Sequence, residues 1–400
     1  MAQRPILYAS RDEPRHVTWL EVFFDLVFVL AIAELAHYLH DHLTVAGFFQ
    51  FVFLFLPVWL VWSNYTYYAD VFDIDSPRFR IAMLTAMLLS AALAVTIPNA
   101  MGSGSTEFAV VYVALRALLV GLYVWAWHSS PDVRTAVGWH IAGFSTGVLI
   151  WAVLLLMPEP IRFWIWGLGL LVEFATPMLS QILALGKGPV QASHLPERFG
   201  LFTIVVLGES IVVAGVGVRA SEWAPSSVIV AILGFCVIGC LWWLYFDRVI
   251  DESEIERAFM SGIGRLLVGF SWVYGHLVLY IALAVTAVGI ELAIGEATGA
   301  RMERGPLIAV CGGIGLSLLA ITAVQSLSPL SLRKSAMIAR LGVGGFLIAL
   351  TLADGALSPP VIMSLPALAL VGLTIFEVSA ANRTGDHSAS ALAITTRGGP

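Results

Sequence analysis

The sequence predicts an all-α polytopic membrane protein of about twelve transmembrane helices, arranged as two six-helix repeats of parallel orientation. Three observations carry that expectation. Of 400 residues, 59% are hydrophobic and only 12% charged, about half the charge that covers a soluble domain. Apolar runs approaching the ~20 residues needed to cross hydrocarbon recur along the whole chain. The basic residues between those runs fall mostly on one side.

The runs lie near 18–38, 47–69, 79–98, 107–127, 136–157, 161–184, 199–218, 226–246, 263–289, 306–326, 337–353 and 361–380, the last two being the shortest. With both termini cytoplasmic, sixteen Lys and Arg fall inside, Arg198 and Arg340 among them, against four outside: Arg162, Arg219, Arg301 and Arg304. That asymmetry is the one the positive-inside rule requires. Arg116 is the one basic residue left at depth within a span. The polar start MAQRPILYASRDEPRH leads into a full-length run containing acids, so the first helix reads as a retained anchor rather than a cleaved signal. A net charge of −6 with no basic tract argues against a nucleic-acid partner; the partners expected are the bilayer and a small ion or molecule. Cys236, Cys240 and Cys311 lie in apolar runs without a CxxC pair and read as small packing residues.

The polar stretch 186–198 divides the chain into halves at 1–185 and 199–380, followed by a tail, 381–400, whose small and polar residues have the composition of a disordered segment. A repeat supports the halves. YADVFDIDSPRFRIAM (68–83) and YFDRVIDESEIERAFM (245–260) align without gaps and share Asp70/Asp247 and Arg80/Arg257. An even-numbered repeat keeps its orientation, so the halves would be related by an axis along the membrane normal. The recurring pairs Asp70–Arg80 and Asp247–Arg257 read as salt bridges at cytoplasmic helix ends. Trp62, Tyr65, Tyr67, Tyr68, Trp242, Trp243 and Tyr245, at the same level, read as an aromatic belt.

The segment WLEVFFDLVFVLAIAELAHY (19–38) holds three acids in a span, where each ionised group costs several kcal/mol. Glu21 and Asp25 are one helical turn apart and share a face. Two adjacent acids suit proton exchange or a cation site; alternatively they accept hydrogen bonds and hold the bundle together. Glu34, His37 and Asp41 share another face and are the candidates for a metal. Glu209 lies deep in the seventh run beside Gly208 and Ser210. Arg116 needs a counter-ion, for which Glu173, Glu209 and Asp25 are open. His276 is a further intramembrane polar group, by itself more often a satisfied core residue than a proton relay. Gly143 and Gly147 have the small-residue spacing that packs helices, within one chain or between copies in a homo-oligomer. No catalytic motif is present and no cofactor is expected.

TWLEVFFDLVFVLAIAELAH, DVFDIDSPRFRIAML, HLPERFGLFTIVVLGESIVVAGVG and YGHLVLYIALAVTAVG together resemble the bacterial low temperature requirement protein A family, over about three-quarters of the chain. Val22 stands where the family's ELFFDLVFV block has Leu. The resemblance implies a multi-span inner-membrane protein linked by name to growth in the cold. Two six-helix halves with Phe24-Asp25 early in the first helix are also similar in architecture to TMEM-type lysosomal potassium channels, without the neighbouring Ser of their motif. Three functions are therefore weighed. The first is a transporter or channel whose ion-binding site draws on Glu21, Asp25, Glu209, Arg116 and His276. The second is a non-transporting membrane scaffold or sensor. The third is a lipid-modifying enzyme, which would need Glu209 beside His276.

Overall fold

The computed structural model describes residues 6–7, 18–73, 76–131, 134–158, 160–184, 195–247, 263–327, 334–352 and 357–383. Twelve long helices account for nearly all of them: α1 (Trp19–Asp41), α2 (Val45–Val71), α3 (Pro77–Thr96), α4 (Ser105–Ser129), α5 (Arg134–Leu154), α6 (Ile161–Leu183), α7 (Leu195–Ala220), α8 (Pro225–Phe246), α9 (Ile263–Gly295), α10 (Arg304–Ser326), α11 (Lys334–Leu350) and α12 (Pro359–Arg383). A two-residue antiparallel bridge joins Ile6–Leu7 to Phe72–Asp73. Ten of the helices are long and apolar enough to cross a membrane. The other two are α1, which carries Glu21, Asp25, Glu34 and Asp41, and α11. At 17 residues, α11 rises only about 25 Å, short of the ~30 Å hydrocarbon core.

Local chemistry sets the helix ends. Thr18 accepts from the Glu21 N–H while the Glu21 carboxylate accepts from the Thr18 N–H, a capping box that starts α1. Thr44 and Ser76 cap α2 and α3 through their hydroxyls, and Pro77 opens α3 where a missing N–H costs nothing. In α10 a π-turn over Ile308–Gly312 lies against Gly289 of α9, where the backbone comes too close for any side chain. Leu88, Trp164, Leu168, Ile232, Phe235 and Leu368 are all more than half exposed, an outward apolar surface suited to lipid.

Contacts divide the chain into two compact units, Met1–Glu209 with Asp251–Ala284, and Ser210–Ile250 with Val285–Pro400. In the first, α1 packs on α2 and α3, and α3 through α6 follow as sequential neighbours. In the second, α8 packs on α10 and α12, and α11 on α10 and α12. These units differ from the halves 1–185 and 199–380. The early parts of α7 and α9 belong to the first unit: Tyr280 of α9 donates to the Phe199 carbonyl of α7, and Tyr274 of α9 to the Phe174 carbonyl of α6. The linker residues 186–194, Arg257 with its Asp247 partnership, and the tail from 384 lie outside the described residues.

Two expectations need correction. Trp62, Tyr65 and Tyr68 are fully buried rather than belted at the membrane surface. Tyr65 and Tyr68 donate to the carbonyls of Leu115 and Leu122 on α4, so their polar tips are satisfied inside the protein. Only Trp242 and Trp243, about two-fifths exposed, retain the exposure of belt residues. Arg198 and Arg340, counted on the cytoplasmic side, are also shielded from solvent: both lie buried in the protein, within α7 and α11.

Candidate functional site

The capping box fixes where α1 begins, and therefore where Asp25 stands, about 9 Å along the helix axis. Asp25 faces inward, 3% exposed, with Phe24 and Phe28 flanking it. Its partner comes from the fourth residue of α7. Arg198 donates from Nη2 to Asp25 Oδ1 at 2.7 Å and from Nε to Oδ2 at 2.9 Å, a bidentate fork. Trp62 of α2 adds a third donor, Nε1–H to Oδ1 at 2.8 Å. Arg198 Nη1 lies 3.8 Å from Glu21 Oε1, and Nη2 lies 3.4 Å from Thr66 Oγ1. Trp62 is held in turn by Phe202, stacked at 4.1 Å, and by the edge of Phe199 at 4.8 Å. Glu21 and Asp25 are thus gathered on one face, around a guanidinium that the charge count had assigned to the cytoplasmic side.

A second cluster lies among α4, α5 and α6. Arg116 Nε is 3.2 Å from Glu173 Oε2, with both side chains fully buried. Tyr112, one turn before Arg116, donates to the same oxygen of Glu173, and the Arg116 guanidinium sits 4.6 Å over the Phe144 ring. Of the three acids open as its counter-ion, Arg116 therefore has Glu173. Gly147 makes room for that carboxylate: a Cβ there would stand 2.7 Å from Glu173 Oε1, and one at Gly143 would collide with Thr176. The Gly143–Gly147 spacing accordingly packs α5 on α6 within the chain.

Among the remaining candidates, His276 packs against Phe199 and Tyr280, the rings that also meet Trp62 of the first cluster. His276 is buried, its Nδ1 2.8 Å from the Trp272 carbonyl and its ring enclosed by Phe199, Trp272 and Tyr280. Glu209 is buried in α7. Asp70 is buried near the end of α2, and Arg80 lies in the first turn of α3. Among the described residues, no three His, Cys, Asp or Glu side chains gather as metal ligands would. Glu34, His37 and Asp41 share a face without converging; Asp41 instead lies 3.2 Å from the neighbouring His40.

Two buried clusters escaped sequence reasoning. In the second unit, Arg340 forms a bidentate pair with Glu377 at 2.6 and 2.8 Å and donates from Nη1 to Gln325 Oε1 at 2.6 Å. The Gln325 amide donates to the Leu244 and Tyr245 carbonyls at 3.0 and 2.9 Å, satisfying orphan acceptors at the C-terminal end of α8. In the first unit, His140 lies 3.1 Å from Ser180 Oγ and stacks on Tyr123, ring centroids 5.1 Å apart. Arg340 and Glu377 lie in separate apolar runs, and nothing local in the sequence pairs them. Arg198 had one signal, its place beside Glu197 in the third family-like block.

The model of the family described as bacterial low temperature requirement A protein matches residues 16–376, a span that includes α1 with its acids, Arg198 and Arg340. A protein of Rhizobium meliloti (strain 1021), named uncharacterized protein RA0937, is 26% identical over 281 residues, 68% of each chain. With the family model covering nearly the whole chain, this multi-helix membrane protein belongs to the bacterial low temperature requirement A family.

Proposed function

We propose that the chain is a transporter or channel for protons or a small cation, with Asp25 and Arg198 as its exchangeable pair. The observation that carries this reading is the buried bidentate bond between them, which ties α1 and α2 to the start of α7. An ionisable group inside a membrane segment is by default a functional site. A proton arriving at an Asp25 carboxylate oxygen removes the charge that holds Arg198. The guanidinium then needs another acceptor, and the contact between the helices loosens. Glu21, 3.8 Å from Arg198 Nη1, is placed to take the guanidinium while Asp25 is neutral. A cation bound between the two carboxylates would displace Arg198 in the same way. Glu209 and Arg116 belong to the wider set of buried charges on which a pathway would draw. The protein would lie in the bacterial inner membrane with both termini cytoplasmic and two parallel six-helix halves.

Flux in proteoliposomes tests this, with potassium, sodium and pH gradients imposed in turn on wild type, Asp25→Asn, Glu209→Gln and Arg198→Lys. Flux in wild type that disappears in Asp25→Asn, with the variant still inserted and monodisperse, supports the reading. Flux unaltered in every variant overturns the site assignment. A second reading, a non-transporting scaffold or sensor, draws on the three donors that already fill the Asp25 carboxylate. It expects those substitutions to lower thermal stability, with no flux in any of the proteins under any gradient.

A further inference from the structure

Within the first unit, α2, α6 and the early turns of α7 and α9 enclose a cavity of about 50 Å³. Three side chains on its wall share one condition. Trp59, Asn64 and Gln181 are each at least 95% buried, yet Trp59 Nε1, Asn64 Nδ2 and Gln181 Oε1 have no hydrogen-bond partner in the protein. Leaving a buried donor or acceptor unmet costs about 1–3 kcal/mol each, and native proteins meet nearly all such groups with protein or with an ordered guest. Three on one wall mark a site.

The other groups on the wall are already committed. Tyr67 Oη accepts from Gln181 Nε2 at 3.1 Å, which fixes the Gln181 amide so that its oxygen is the group left over. Tyr274 donates to the Phe174 carbonyl at 2.6 Å, and its ring lies beside Trp59 at 5.8 Å, holding the indole in place. What remains is two N–H donors and one carbonyl acceptor. No residue lining the cavity carries a formal charge, so an ion entering it would have no counter-charge and would be expelled. The volume exceeds the ~10–15 Å³ that one water requires.

We infer that this cavity is a binding site for a small uncharged molecule that presents an oxygen acceptor to Trp59 and Asn64 and a proton to Gln181. That is the chemistry of water and of a primary amide. The site is separate from the Asp25–Arg198 pair in chemistry as well as in lining: neither charged residue borders it, and it selects for neutrality where the pair selects for charge. Its occupancy does not depend on whether the protein transports anything.

The test uses the full chain in lipid nanodiscs. High-resolution density maps are obtained with and without acetamide, and thermal unfolding of wild type, Asn64→Leu and Gln181→Leu is followed across an acetamide titration. Density in contact with Trp59 Nε1, Asn64 Nδ2 and Gln181 Oε1 that changes shape with acetamide supports the site with an amide guest. A saturable rise in Tm accompanies it, needing about tenfold more acetamide in either variant for the loss of one hydrogen bond. Discrete solvent density on those atoms, unmoved by acetamide, supports the same site with water as its guest. No density on any of the three atoms overturns the inference, whether or not the leucine variants fold, because that map is of the wild type.

Discussion

Replacing Arg198 by Met keeps most of its aliphatic length and removes its charge. The consequence follows from what it leaves behind. Asp25, 3% exposed, would lose the two guanidinium hydrogen bonds at 2.7 and 2.9 Å and retain the single donor Trp62. Breaking a buried pair from one side costs about 3–5 kcal/mol, because the surviving charge is uncompensated. The reverse single change, Asp25→Leu, strands the guanidinium and should cost a similar amount. The double variant Asp25→Leu with Arg198→Met strands neither. Replacing a whole buried pair with apolar groups is often neutral, so its cost should fall well below the sum of the two single changes. Reversible unfolding in mixed micelles, measured for all four proteins, gives the coupling directly. A coupling above about 1.5 kcal/mol, within the range seen for residues in one network, is expected. Additive single effects, or an Arg198→Met cost under about 1 kcal/mol, would refute the reasoning that this pair is dry and mutually dependent.

Three further outcomes follow from the same geometry. Gly147→Leu should destabilise the first unit by about 1–3 kcal/mol, since a Cβ there already meets Glu173 at 2.7 Å; thermal unfolding of the purified variant checks this, and Gly121→Leu, where nothing lies within 4 Å, is the control. Gln325→Leu should cost about 1–3 kcal/mol by leaving the Leu244 and Tyr245 carbonyls short of a donor and Arg340 short of an acceptor, with faster hydrogen exchange at the end of α8 as its local signature. Glu21→Gln should retain the reciprocal cap with Thr18, whereas Glu21→Ala should cost about 1 kcal/mol through the lost cap, a difference that paired melting curves resolve.

Much of the secondary structure was legible along the chain. A helix in lipid must satisfy its own backbone groups, so each span announces itself as one long apolar run. Eleven of the twelve expected runs begin and end within a few residues of a helix; the long α9 starts with its run at 263 but continues to Gly295. Glu21 and Asp25 could be placed on one face from their spacing alone. Gly143 and Gly147 announced a close helix contact, although not with which helix.

The partnerships were not legible, and the reason is physical. Arg198 reaches Asp25 across 173 residues, and Arg116 reaches Glu173 across 57; helical periodicity carries no information about which helices meet. The charge count assigned Arg198 and Arg340 to the cytoplasmic side because each lies close to the edge of an apolar run, and only packing decides whether such a residue extends outward or folds into the protein. The aromatic residues of α2 were misread for the same reason: Trp62, Tyr65 and Tyr68 have the composition of a membrane surface belt, but their neighbours offer them buried acceptors. The sequence by itself determined that this chain enters a bilayer as many helices and holds acids there. Only the tertiary structure decided which cation each acid meets, because that choice belongs to contacts between helices rather than to the order of residues along any one of them.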